Sequence, residues 1–598
     1  MDSRLVAELQ RSIKDCADRG LSVAAKWSSE LYLSIPRHKR EAISEHATAF
    51  STSTPARSRS PHPPLSFAVA SPVVSVGLPI QGDAGNYASL LSPERTANRI
   101  PGIDLEQSEE AHLLAARALF ASKEFRRAAH ALQGCKSPKA QFLSVYCQFL
   151  TSEKKTERNW YKHFNVRGQP PIPFNQSLLD YLELVKNATD PWLMFLKGLF
   201  LSRLNRREEA IESTIHSISG YPWNWSAWTL LGRCVGDAQE LASLLPLLPL
   251  PASHPLMQMF QIKTMNELNS PTENELALCD LLLSDDYFRG NPWVMSLRAC
   301  VLYHLHDFGQ AEKQFEKILT AAPHRVDDID IYSNILYVTE NRLKLSRLAH
   351  EFLELDKDRP EVCCLVGNHY SLRAEHEKAV KYFRRATELD RTYLSAWTLM
   401  GHEYVEMKNS HAAIEAYRRA VDINRKDYRA WYGLGQAYEL LSMHQYALHY
   451  YQRATALRRP YDVRLWQAQA SCYEEIGCTR NAVECLKRAL LGADSREITI
   501  NLKLAKLHEE LEEHTEAVAY HQRVVETCRA EGRPVQDFAK SSIYVARHQI
   551  MIPGGDLTLA KECLERIAQS NVEEVTQAAD WLKKLKSVML TRPPPHDT

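Results

Sequence analysis

Residues 394–461 decide the fold: LSAWTLMGHEYVEMKNSHAAIEAYRRAVDINRKD (394–427) is followed directly by YRAWYGLGQAYELLSMHQYALHYYQRATALRRPY (428–461). Laid over one another, the two halves agree at seven positions of a 34-residue unit. Trp397 and Trp431 stand at position 4, Met400 and Leu434 at 7, Gly401 and Gly435 at 8, and Tyr404 and Tyr438 at 11. Ala413 and Ala447 stand at 20, Tyr417 and Tyr451 at 24, and Ala420 and Ala454 at 27. The frame extends outward. Upstream, 360–393 supplies Cys363, Val366, Gly367, Tyr370, Ala379, Phe383 and Ala386, and 292–325 supplies Met295, Ala299, Leu302, Ala311 and Phe315, with 326–359 weaker but in register. Downstream, one inserted residue restores the frame at 463–496, and 498–531 continues it. Looser copies lie at 191–224 and from Glu109, while Pro246, Pro249, Pro251 and Pro255 interrupt 225–290, as a bend or a degenerate unit would.

A period of this length marks one supersecondary unit repeated along the chain, and the signature resembles the tetratricopeptide pattern. Each unit is then two antiparallel helices, A and B. Small residues at 8, 20 and 27 let them approach, and large ones at 4, 11 and 24 fill the gaps. One unit cannot bury its own apolar face, so stacked neighbours share a core and wind into a superhelical solenoid with a concave surface. The expected class is all-α. Composition agrees: 22 glycines in 598 residues is about half the usual ~7%.

Charge and cysteine content narrow the partners. Lys plus Arg (73) equals Asp plus Glu (73), so no global field draws the chain to nucleic acid or an anionic membrane. No C-x-x-C pair occurs among the 13 cysteines, which suits a reducing, intracellular compartment better than a disulfide or zinc framework. Charges within the first 20 residues leave no room for a secretory stretch, and the most apolar run, 241–250, is broken by prolines. A soluble chain is expected. Residues 1–50 read as a helical segment that contains Pro36-Arg37-His38-Lys39-Arg40, a short basic tract of the nuclear-import type. Residues 51–105 are rich in Ser and Pro and read as a disordered insertion with proline-directed phosphorylation candidates at Thr54, Ser60, Ser71 and Ser92. An N-terminal array (106–290), a C-terminal array (291–531) and C-terminal helices with a short tail (532–598) complete the division.

A search for chemistry finds decoys. His402-Glu403 opens an H-E-x-x-H zinc motif, but the fifth residue is Glu406. Gly433-Leu434-Gly435 lacks the third glycine of a dinucleotide loop and lies inside a repeat helix. The cysteines at 363, 364, 472, 478 and 485 sit on repeat helices as small buried hydrophobes, and the Trp and Tyr residues fall mostly on signature positions. No catalytic residue, metal or cofactor is expected. The concave surface remains. Helix A positions 2, 5, 9, 12 and 13 lie opposite the packing positions, and they carry Asp327, Asp330, Asn334, Tyr337, Glu361, Cys364, Asn368, Thr398, His402, Glu406, Arg429, Tyr432, Gln436, Glu439, Gln467, Glu474 and Glu475. This acidic, amide-rich wall with tyrosines suits an extended arginine-bearing peptide, because a guanidinium bonds carboxylates in pairs and stacks on rings.

Four segments carry a closer resemblance: residues 393–439, VCCLVGNHYSLRAEHEKAVKYF at 362–383, IDIYSNILYV at 329–338 and LKLAKLHEEL at 502–511. They resemble the family of eighth subunits of the anaphase-promoting complex, the cell division cycle protein twenty-three type, from about 290 to 530 and more loosely at Lys26–Leu31. The insertion at 51–102 and the region after 532 have no counterpart in that likeness. The resemblance implies a non-catalytic scaffold in a ubiquitin ligase whose chemistry resides in a cullin and RING pair on other chains. It implies a homodimer formed through the N-terminal repeats, contacts with other repeat subunits and a large scaffold subunit, and a C-terminal groove for the arginine-containing box of a coactivator of the WD40 type. On this chain the groove would fall on Asp330, Asn334, Tyr337, Asn368, His402, Glu403, Glu406 and Glu439, with Asn334 and Asn368 bonding peptide backbone and Asp330, Glu406 and Glu439 meeting arginines. Two other classes fit the sequence less well. A repeat co-chaperone needs a Lys/Arg cluster on the concave face, and an enzyme with an appended domain needs more than the roughly 66 residues that follow Gly532.

Overall fold

The computed structural model describes residues 3–37, 40, 101–162, 173–457, 462–493, 497–553, 555–570 and 573–591, and among these every regular element is a helix. The all-α repeat architecture is therefore seen directly. The four phosphorylation candidates, and His38 and Lys39 of the basic tract, lie outside the described residues.

The repeat frame becomes helix pairs: Ile329–Val338 with Arg342–Leu355, Pro360–Leu372 with His376–Leu389, Leu394–Glu406 with Ser410–Ile423, Tyr428–Glu439 with His444–Leu457, Val463–Ile476 with Thr479–Gly492, and Ile498–Glu510 with His514–Ala530. Each A helix stops the same way. Position 15 turns left-handed at Glu340, Ala374, Lys408, Ser442, Gly477 and Glu512, with φ between 54° and 84°. The reversed chain lets the next N–H reach back to the carbonyl of position 11, as in Asn409 to Tyr404 (2.8 Å) and Met443 to Tyr438 (3.0 Å), which satisfies carbonyls the helix end would orphan. Only Gly477 adopts this conformation without a Cβ penalty. Asn341 and Asn409 then cap the B helices by accepting from Lys344 and Ala412.

Position 8 is glycine because an aromatic ring lies on it. A Cβ on Gly401 would stand 2.5 Å from the Tyr417 ring, and Gly367 and Gly435 meet Phe383 and Tyr451 in the same way. Gly433, at position 6, closes on Tyr417 from the following unit, so that ring is clasped between two helices. The Gly-Leu-Gly run is thus a packing device. Position 4 tryptophans add one polar bond each: Trp397 and Trp431 donate to the carbonyls of Arg391 and Arg425, both at 2.9 Å. Cys363, Cys364, Cys472 and Cys485 are buried, and burial pushes the thiols of Cys363 and Cys485 up to about 11 and that of Cys472 to about 12. Cys478 departs from the expectation: it is exposed, because it caps a B helix instead of facing its partner.

The chain divides into two compact units, 1–266 with 271–305 and 267–270 with 306–598. The division falls after Leu305, one helix beyond the sequence boundary at 291. The helix Pro292–His304 belongs to the first unit because Trp293 packs on that unit's N-terminal hairpin. Residues 3–34 are two helices, Ser3–Asp18 and Ser22–Ser34, broken at Gly20 (φ +72°), rather than one continuous helical stretch. The hairpin is nailed down by aromatic and polar contacts. Trp27 stacks on Trp225 at 4.3 Å and meets Trp293 edge-on at 5.7 Å. Arg19 lies 4.1 Å over Trp192, Tyr221 donates to Asp15 (2.9 Å) and Trp223 donates to Glu8 (3.0 Å). The repeat signature would put such indoles in the cores of helix pairs. Trp192 and Trp293 instead occupy position 2, the groove position, and face the hairpin. The interrupted stretch 225–290 folds as the helices Trp225–Cys234, Ala238–Leu244, Pro255–Glu267 and Glu273–Leu282, with Pro246, Pro249 and Pro251 in the connection. In the second unit, Ala539–Met551, Leu557–Ala568 and Val575–Thr591 close the chain around Ile543, Leu564 and Leu585.

Candidate functional site

The A-helix face of the second unit carries the candidate site, and its side chains bond to one another across successive units. At position 9, Asn368 donates from Nδ2 to Asn334 Oδ1 (2.7 Å) and to Ser333 Oγ (2.8 Å). At position 12, Ser371 Oγ donates to Glu403 Oε1 (2.6 Å), and the Tyr337 hydroxyl lies 3.4 Å away. The second oxygen of Glu403 receives His376 Nδ1 at 2.8 Å. The partners stand 27 to 35 residues apart, about one repeat, so the polar ladder is built by stacking. A buried amide or carboxylate left alone would cost several kcal/mol of lost hydration. Asn368 and Glu403 avoid that cost through these bonds, and the bonds fix the register of neighbouring A helices.

Titration behaviour follows burial. Asp330 is buried, and burial lifts its carboxyl above the usual range, opposed by hydrogen bonds from Tyr393 and Ser395 of the unit two repeats on. Glu361 is pushed up for the same reason, with Asp330 and Asp327 adding repulsion, and its Oε2 is buried without a hydrogen bond. The His402 ring is half-buried, and desolvation, aided by the Arg429 guanidinium, lowers its pKa to about 4. The neutral ring accepts the Tyr417 hydroxyl at Nδ1 (2.7 Å). Glu439 accepts the Tyr451 hydroxyl at 2.6 Å, and Arg429 is held by Asp427 at 3.0 and 3.2 Å.

The eight expected groove residues therefore fall into two sets. Asn334, Tyr337, His402, Glu406 and Glu439 keep solvent-facing surface, with Tyr337 and Glu406 exposed. Asp330, Asn368 and Glu403 are buried inside the ladder, which removes Asp330 from the direct ion pair assigned to it and places it under Tyr393. Sequence reasoning passes over Ser333, Ser371, His376 and Tyr393. Of these Ser371 has a findable signal: it stands at position 12, one unit after Tyr337. His376 and Tyr393 lie outside helix A and carry no periodic signal. Asn334, Glu406, Glu439 and the exposed Tyr337 ring, spread over successive units, are side chains of the kinds that bond a peptide backbone and a guanidinium.

Comparison with known proteins adds independent information. Residues 4–299 match the family described as Anaphase promoting complex subunit 8 / Cdc23, and 360–393 and 401–442 match tetratricopeptide repeat families. The chain is 37% identical over 555 residues to the Arabidopsis thaliana anaphase-promoting complex subunit 8, covering 90% of both chains. It is 34% identical over 254 residues to the Homo sapiens cell division cycle protein 23 homolog, covering 42% of this chain and 41% of that one. Among solved structures, the crystal structure of the APC/C hetero-tetramer Cut9-Hcn1 is similar with a TM-score of 0.51 at 18% identity, covering 81% of this chain and 92% of the other, a likeness of fold. The long match to the plant protein, joined to the repeat architecture, shows that this chain belongs to the anaphase-promoting complex subunit 8 / Cdc23 family.

Proposed function

We propose that the chain is a non-catalytic scaffold subunit of the anaphase-promoting complex ubiquitin ligase, acting in nucleus and cytoplasm. In this role it pairs with a second copy through its first unit, binds other repeat subunits and the large scaffold subunit, and offers the A-helix groove of its second unit to the arginine-containing box of a WD40-type coactivator. The observation that carries this reading is the full-length similarity to an anaphase-promoting complex subunit, 37% over 90% of the chain. The ladder supports the peptide-binding part. Asn334 bonds peptide backbone, Glu406 and Glu439 receive guanidinium groups, and Tyr337 offers a ring for stacking. Each hydrogen bond to a charged group contributes about 1.5–3 kcal/mol, so two of them set affinity over at least tenfold. Asp330 and Asn368 serve from below, holding Tyr393 and Asn334 in place. A co-chaperone role is less favoured, because Arg429, the cation at position 2, is already committed to Asp427.

The test is purification of the tagged full chain from cells, followed by identification of bound proteins and measurement of the isolated chain's mass in solution. Cullin and RING subunits, with a mass of two copies for the chain alone, are expected. A bound set without ligase subunits contradicts the scaffold role, and a monomer contradicts the pairing.

A further inference from the structure

The B-helix side of the same unit differs chemically from the groove. The helix His444–Leu457 contains no Asp or Glu, whereas the B helices on either side carry Glu415, Asp422 and Glu484. Met443, Tyr446, Tyr450 and Arg453 are spaced i, i+3, i+7 and i+10, which puts them on one face. That face is open: Tyr446 is 57% and Met443 40% exposed, neighbouring Leu440 is 51% exposed, and Arg453 is exposed. Two further rings, Tyr438 and Trp431, back its tyrosines. Tyr438 stacks on Tyr446 (5.8 Å) and on Tyr450 (5.1 Å), and Tyr450 stacks on Trp431 (6.1 Å). The guanidinium of exposed Arg418, from the preceding unit, is fixed by donating to Tyr438 Oη at 2.6 Å. One carboxylate, Asp422, is shared among Arg418, Arg419 and Arg425, so the local balance is positive.

We propose that this face is a second docking surface, taking an acidic linear segment that carries a large apolar side chain. Arg418 and Arg453 meet its carboxylates, while Leu440, Met443 and Tyr446 cover its apolar residue. The fit rests on charge complementarity and preorganisation. A guanidinium already held by a phenol loses little freedom on binding, and the stacked tyrosines are stiff. Nucleic acid suits the surface poorly. The rings lie against one another instead of offering open faces to bases.

The probe is a short fluorescein-labelled peptide of glutamates and aspartates with one leucine and one phenylalanine at its centre, titrated into the full chain by fluorescence anisotropy. A peptide lacking the two apolar residues, a labelled single-stranded oligonucleotide and an unlabelled arginine-bearing competitor are run beside it. Binding that weakens with added salt, falls about tenfold in Arg453→Glu and several-fold in Tyr446→Ala, and survives the arginine competitor is the expected result. Both substituted residues are exposed, and circular dichroism checks the fold of each variant separately, so either one decides the matter. Affinity unchanged in both folded variants, no gain from the apolar residues, or tighter capture of the oligonucleotide than of the peptide overturns the proposal.

Discussion

The two units treat the same repeat position in opposite ways. In the first, position 2 of the A helix carries Trp192 and Trp293, and the chain's own N-terminal hairpin covers them, with Trp27 stacked on Trp225 and edge-on to Trp293. In the second, position 2 carries Asp327, Glu361, Ser395 and Arg429, and positions 9 and 12 are tied into a polar ladder with solvent-facing surface left over. A repeat array thus has one scaffold and two uses for its inner face. Indoles turn it into a core that captures a segment of the same molecule, and amides with carboxylates leave it partly open to solvent.

The contrast is most open to attack at the hairpin. Trp27→Ala removes a buried indole that meets three others, Trp223, Trp225 and Trp293, and should lower the stability of the first unit by about 3–5 kcal/mol in urea unfolding. Tyr337→Ala, at an exposed groove position of the second unit, should cost well under ~1 kcal/mol. Equal costs would erase the distinction between a filled face and an open one. Next, Gly433→Leu drives a side chain into the Tyr417 ring and should cost about 3 kcal/mol by thermal melting. By contrast, Gly309→Ala, whose nearest neighbour to an added Cβ is 4.0 Å away, should raise the melting point.

Acid sharpens the comparison further. Above the ordinary histidine value near 6.5, His402 is neutral in folded and unfolded chains alike. As the pH falls from 6.5 to about 4, the unfolded chain takes up a proton that the folded ring refuses, so stability declines across that window and the contribution is lost below it. About 2 kcal/mol is expected, below the ~3.4 kcal/mol that the pKa difference alone would give, because the ring is only half-buried. His402→Gln should flatten that part of the pH profile, and an unchanged profile would show that the ring does not stay neutral. The smallest effect lies in the turns. Ala374→Gly relieves a left-handed alanine (φ +59°) and should stabilise by about 0.5–1 kcal/mol, whereas Ala374→Val should destabilise.

What could be read from the amino acids alone follows from where the information lies. Trp397, Gly401, Tyr404, Ala413 and Tyr417 encode a helix pair through spacing within one unit, and recurrence 34 residues later makes the stacking plain. The facing of positions 2, 5, 9 and 12 also follows from helical period. Their fates do not. Asn368 binds Asn334, and Glu403 is shared by Ser371 and His376, because successive A helices meet at one particular offset, a property of packing between units. Asp330 has the spacing of a groove carboxylate and is buried under Tyr393, which sits in the loop before a helix two units on. The hairpin's attachment is the least legible feature, since Trp27 and Trp225 are nearly two hundred residues apart with no shared period. The available hint is Trp192 and Trp293 at position 2, where the repeat calls for no large apolar residue.

The most direct measurement is calorimetric titration of an arginine-bearing coactivator-box peptide into the full chain and into the Asn334→Ala/Glu406→Ala double variant, with helicity checked by circular dichroism. A Kd raised at least tenfold in the double variant, with unchanged helicity and with Tyr446→Ala binding as the unsubstituted chain does, is the predicted result. Equal affinity of the double variant and the unsubstituted chain would contradict the assignment of the second unit's polar ladder as the peptide-binding face.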